Sequence, residues 1–219
     1  SIAAAVREGR TVYDNLMKVI AWTLPTNGGE AAAVLAAILF GIAMPITPVQ
    51  ILWVNMITAV ALGLTLAFDP TDPRAMGRPP RPPGAPILDR PLLRRIAFVS
   101  ALFVAGAFGA YFWALWRGLG VEAARTLVVN GLVAMEIAYL LSVRHVPGRL
   151  GGLVTKPVAL GVAAVALAQA VFTYWGPMQA IFETRPLGLL DGAGLLGLGG
   201  ALFGLVEAEK AWARRRGEG

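Results

Sequence analysis

Six apolar runs of about 20 residues each, separated by short polar or proline-bearing stretches, set the limits on what this chain can become. Lipid offers no partner to an exposed backbone N–H or C=O, so a spanning segment must be a helix or part of a closed barrel. The runs are continuously apolar rather than alternating, which selects helices. The expected fold is all-α: a polytopic membrane helical bundle with six transmembrane helices. The spans are expected at 19–41, 49–68, 95–116, 126–143, 157–175 and 187–206.

The polar stretches divide the rest. Residues 1–18 read as an amphipathic stalk helix leading into the membrane, and 19–68 as a transmembrane hairpin closed by the short Ile42–Pro48 link. Residues 69–94 form a Pro/Arg-rich loop with too many prolines to be helical throughout. Residues 95–206 hold four further spans, and 207–219 a charged tail.

Charge orients the bundle. Sixteen of the 19 Lys and Arg residues fall in the stalk, the proline loop with the adjoining Arg95, the 144–156 loop or the tail; only Arg117, Arg125 and Arg185 fall on the other side. Cytoplasmic loops are enriched in Lys and Arg, so both termini are expected in the cytoplasm. The net charge of +6 is therefore a topology signal, and no nucleic-acid partner is expected. With no cysteine and one histidine, thiolate and His-rich metal centres drop out. His145 follows the fourth span and is expected to be solvated. The chain begins at Ser1 without an initiator Met or a signal-peptide pattern, and reads as a piece of a longer protein.

The informative residues are the polar ones inside the spans. Leu24-Pro25-Thr26-Asn27-Gly28-Gly29-Glu30 puts a carboxylate where an isolated charge costs roughly 2.5–3.5 kcal/mol on insertion scales. Proline and the glycine pair are expected to loosen the helix there and free carbonyls. Asn27 and Glu30 share a face at i, i+3, as do Asn55 and Thr58 on the other arm of the hairpin. The two pairs can meet near mid-membrane and offer hard oxygen ligands for an alkali or alkaline-earth cation. For Asn55 or Thr58 alone, hydrogen bonds that pin the hairpin are the simpler reading. For Glu30, ion binding or proton coupling is favoured. Glu136, in the fourth span, either reaches the same site or makes a structural hydrogen bond. Gln169 reads as a packing hydrogen bond, and Asp191 as an acid tolerated at a helix start. Trp53, Trp113, Trp116 and Trp175 read as interface or packing aromatics. The pairs Gly106/Gly109, Gly188/Gly192 and Gly197/Gly200 suggest close helix packing.

Several of these segments together resemble a known family. Ser1–Asn15 is similar to the stalk of P-type cation-transporting ATPases. Leu24–Glu30 resembles their fifth membrane helix, and Pro48-Val49-Gln50-Ile51-Leu52-Trp53-Val54-Asn55-Met56-Ile57-Thr58 their sixth. Arg78–Pro83 resembles the following cytoplasmic loop, and Phe172–Phe182 the passage after the ninth helix. The likeness runs in order along essentially the whole chain and is strongest to the calcium and sodium/potassium pump branch in its bacterial form.

The resemblance implies that these are the last six of ten membrane helices. It implies that Asn27, Glu30, Asn55 and Thr58, with Glu136 from the eighth helix, ligate the transported cation. It also implies a multi-pass protein of the bacterial inner membrane. Its partners would be the lipid bilayer, the cation, and the preceding membrane helices and cytoplasmic domains. The chain holds no Asp-Lys-Thr-Gly phosphorylation motif, so MgATP would act only through those upstream domains. Calcium and sodium/potassium pumps carry an acidic residue directly after the threonine of the sixth helix. Here it is Ala59, which lowers the negative charge of the site and favours fewer or monovalent ions. The alternatives from the residues alone are a stand-alone six-helix secondary transporter or channel, or a non-transporting membrane remnant.

Overall fold

The computed structural model describes residues 1–82, 84, 86–144 and 153–216; His145, most of its loop and the last three tail residues lie outside this set. The helices are α1 (Ile2–Leu39), α2 (Pro48–Thr58), α3 (Leu64–Ala67), α4 (Arg90–Trp116), α5 (Val121–Arg144), α6 (Lys156–Tyr174), α7 (Gly176–Phe182) and α8 (Leu189–Arg215). A π-helical segment, Ala59–Gly63, joins α2 to α3, and a 3₁₀ turn spans Ala75–Gly77. No strand occurs among the described residues. The chain is an all-α membrane bundle.

Local chemistry sets the ends. Thr47 and Gln50 form a reciprocal capping box at the start of α2, with Pro48 in its first turn. Asp89 caps α4 by accepting from the Leu92 N–H at 2.8 Å. Gly41 and Gly118, at φ 62° and 78°, supply the left-handed residues that close the turns after α1 and α4.

Helices α4 and α5 each begin five residues before the expected spans, and α1 and α8 overrun their boundaries furthest. Stalk and first span are one continuous helix of 38 residues, roughly 57 Å long at 1.5 Å per residue and so much longer than a hydrocarbon core is thick. The residues read as a tail continue α8 as far as Arg215. Among the described residues, five helical segments are long and apolar enough to cross a membrane: Pro48–Ala67, Arg90–Trp116, Val121–Arg144, Lys156–Tyr174 and Leu189–Arg215. Helix α1 is not among them, because its second half carries the polar cluster around Asn27 and Glu30 and its first half is charged.

Helix α5 sits at the centre, packed against α1, α2, α4, α6 and α8, and its residues are buried around most of its circumference. Close approach at glycine makes this density possible. A Cβ on Gly29 would lie 2.3 Å from Phe103 Cβ of α4, and one on Gly161 would lie 2.2 Å from the Ala61 carbonyl oxygen. Gly106 and Gly199 likewise sit against Met135 and the Ala134 backbone of α5. Of the glycine pairs singled out in the sequence, only Gly106 is at such a contact with another helix; Gly109, Gly192, Gly197 and Gly200 face open space.

At the stalk end the proline loop is bound to α1. Arg10 donates to the carbonyls of Ala75 and Arg78, Thr11 and Thr71 share a hydrogen bond at 2.8 Å, and Arg78 pairs with Asp14. Asp69, at the head of the loop, is buried. It accepts from Lys18 at 2.8 Å and pairs with Arg144 at the end of α5. A cleft of about 960 Å³ opens there among the stalk, the loop and the ends of α4, α5 and α8.

Candidate cation site

Pro25, Gly28 and Gly29 do not break α1. The helix runs through all three, which corrects the expectation of a loosened segment with free carbonyls. The physical reason is tertiary. The glycines let α4 approach, with Phe103 and Ser100 filling the space their side chains would occupy. The Ser100 hydroxyl adds a bond to the Pro25 carbonyl at 2.9 Å, and the Tyr139 hydroxyl occupies the carbonyl of Ala21 at 2.9 Å.

Glu30 faces inward from α1 and is 1% exposed. Its Oε2 accepts from Asn55 Nδ2 at 2.7 Å, while Oε1 is buried without a hydrogen-bond partner. Glu136 enters from α5, also 1% exposed, with neither oxygen partnered. Its carboxylate lies within electrostatic reach of Glu30 and faces Thr58. The Thr58 hydroxyl, which bonds to the Val54 carbonyl at 2.9 Å, also lies beside the Glu136 carboxylate and can turn either its proton or a lone pair toward it. Three helices thus bring two carboxylates, a hydroxyl and an amide together. Asn27 is not brought in: it lies on the exposed flank of α1. Among the described residues no group of three or more His, Cys, Asp or Glu side chains gathers to hold a metal, so the acidic content of the site is this pair.

Such an arrangement has a defined chemistry. Buried polar atoms nearly always find donors, and an unpartnered buried carboxylate is costly. Three buried carboxylate oxygens without a settled hydrogen-bond partner, beside a hydroxyl that can offer a lone pair, suit a cation or protons as the missing positive charge.

The sequence carried no mark of two supporting features. The π segment begins directly after Thr58 and shifts the hydrogen-bond register just past the site; such insertions recur at functional positions. Trp22, 2% exposed, donates from Nε1 to the Glu136 carbonyl at 3.1 Å and ties α1 to α5. The remaining polar residues are structural. Gln169 accepts from Trp53 Nε1 at 2.9 Å, and Trp53 stacks on Phe172 with centroids 5.5 Å apart. Asp191 accepts from the Gly188 N–H at 2.8 Å in the first turn of α8 and pairs with Arg117. Trp113 lies under the Arg117 guanidinium, whereas Trp116 and Trp175 are exposed.

Buried carboxylates at the centre of a helical membrane bundle mark a functional site rather than packing alone. Residues 43–212 match the family described as "Cation transporting ATPase, C-terminus", and the chain belongs to it, as the C-terminal membrane region of a P-type ATPase. Among similar proteins, "Probable cation-transporting ATPase F" of Mycobacterium tuberculosis is 49% identical over 190 residues, covering 85% of this chain and 21% of the relative. "Cation-transporting ATPase pma1" of Synechocystis is 37% identical over 196 residues, 85% of this chain and 22% of the relative. "Calcium-transporting ATPase type 2C member 2" of Mus musculus is 28% identical over 222 residues, 98% of this chain and 23% of the relative. The chain spans about a fifth of the length of these relatives.

Proposed function

We propose that this segment supplies the cation-binding part of an ATP-driven pump. Glu30 and Glu136 provide the charge, and Asn55 and Thr58 the neutral oxygens. The observation that carries this reading is the set of three buried carboxylate oxygens without donors on Glu30 and Glu136. Asn27 stands outside this group, on the exposed flank of α1 where preceding membrane helices of the pump would pack. The reading has six spans, with α1 as the first, and both termini in the cytoplasm of a bacterial inner membrane. MgATP acts through upstream domains. A phosphorylated aspartate there alters the position of α1 through its stalk half, and the proline loop bound to that half moves with it. Ala59 gives the site two acids in place of three, which favours a monovalent ion or a single divalent one.

The test is a screen of ATP hydrolysis by the full-length pump against Ca²⁺, Na⁺, K⁺ and pH. One cation is expected to stimulate, with Glu30→Ala abolishing the response. Unchanged ion activation in Glu30→Ala would sink the ligand assignment. Asn27→Ala is expected to leave the ion affinity unaltered, and a marked loss of affinity there would bring Asn27 into the set.

A further inference from the structure

Helix α1 contains a proline whose cost is met by another helix. In an α-helix the N–H of residue 25 would bond to the carbonyl of Ala21, and proline has no N–H to give. A carbonyl left bare at membrane depth is expensive, yet α1 runs on without a break. The missing donor is the hydroxyl of Tyr139, which reaches Ala21 O at 2.9 Å from a fully buried ring. Tyr139 lies three residues beyond Glu136 on α5, so the two share a helix face. Next to Ala21, Trp22 donates to the Glu136 carbonyl at 3.1 Å. The two bonds run in opposite senses between residues 21–22 of α1 and 136–139 of α5. Together they fix both the spacing and the axial register of the two helices that carry the acids.

We propose that Tyr139 is a positioning residue for the cation site: its hydroxyl replaces the backbone donor that Pro25 removes and, with Trp22, locks the register that holds Glu136 against Glu30. The proposal rests on the cation-site reading for its functional half; the pairing of Tyr139 with Pro25 stands on the geometry alone. It makes a non-additive prediction. Where residue 25 has its own N–H, the Ala21 carbonyl is satisfied within α1 and the Tyr139 hydroxyl becomes dispensable.

The experiment is a double-mutant cycle in the full-length pump: wild type, Tyr139→Phe, Pro25→Ala and the double variant. The half-saturating concentrations of Ca²⁺ and, separately, Na⁺ for ATP hydrolysis are read beside the maximal rate. The thermal unfolding midpoint in detergent is read without added cation. Tyr139→Phe in the wild-type background is expected to raise the half-saturating concentration about threefold to thirtyfold, with a smaller change in maximal rate, and to lower the midpoint by several degrees. In the Pro25→Ala background the same substitution is expected to change affinity by less than about twofold and to leave the midpoint in place. Equal effects in the two backgrounds, or none in the wild type, overturn the proposal. A lowered midpoint in the wild-type background alone, with affinity unmoved, overturns the positioning role. If no ion stimulates the wild-type enzyme, the pump reading fails instead, and the cycle of unfolding midpoints still decides the pairing.

Discussion

Helices α1 and α5 each contribute to two buried acidic centres, and the two are built in opposite ways. At the stalk end, Asp69 lies between Lys18 of α1 and Arg144 of α5, and each of its oxygens has a cationic partner. Twelve residues along α1 from Lys18, and eight back along α5 from Arg144, Glu30 and Glu136 face each other with one amide donor between them. On helical rise those separations are roughly 18 and 12 Å. The same pair of helices therefore satisfies one buried carboxylate completely and leaves two others short of donors. The first arrangement is how a protein holds elements together; the second is how it keeps oxygens available for something that arrives.

The site acids should give the strongest response. Glu30→Gln combined with Glu136→Gln removes the charge the cation would neutralise. Ion-stimulated hydrolysis is expected to fall on the order of a thousandfold, while the cation-free unfolding midpoint rises, because two poorly partnered buried acids are gone. A fall in both quantities would mean that the acids are structural. Asp69→Ala should do the reverse. It takes the counter-charge from Lys18 and from Arg144, whose side chain is 3% exposed and keeps its bonds to Leu153 O and Thr155 Oγ1, and is expected to cost about 3 kcal/mol in thermal or denaturant unfolding. The half-saturating cation concentration of the surviving folded protein should move little.

Gly161→Ala tests the packing behind the site. Its Cβ would overlap the Ala61 carbonyl of the π segment, a backbone atom that cannot swing aside, so a loss of about 1–3 kcal/mol is expected in the same unfolding assay. A neutral result would show that the π segment can shift freely. The smallest effect belongs to Arg185→Ala. The Arg185–Glu122 pair joins side chains that are 60% and 43% exposed, and its removal should change stability by less than about 1 kcal/mol. A large loss there would show that being paired, rather than being buried, separates the two acidic centres.

Much of the fold was legible because its cause is local. Apolar runs of spanning length specify helices wherever lipid is the solvent, and the capping residues Thr47 and Asp89 mark helix starts by their own chemistry. Glu30, Asn55 and Thr58 were identifiable as polar residues in apolar runs joined by a short link. What the sequence could not show were the responses of one helix to another. Pro25 with Gly28 and Gly29 reads as a break by propensity, and becomes continuous helix because Tyr139 and α4 supply what it lacks. Asn27, three residues from Glu30, looks like its partner by spacing, yet the packing of α4 and α5 buries one and leaves the other outside. Asp69 reads as a loop residue and is in fact the buried junction of α1, α5 and the proline loop.

That the chain is helical, that it belongs in a membrane, and that acids stand where lipid would forbid them are all legible residue by residue. Each of these follows from transfer free energies and backbone hydrogen bonding, which act residue by residue. Only the tertiary structure decided which oxygens are left without donors. Whether a carboxylate is satisfied depends on what neighbouring helices bring to it, and α5 brings Arg144 to Asp69, 75 residues away in the chain, through the same packing that brings Glu136 bare to Glu30.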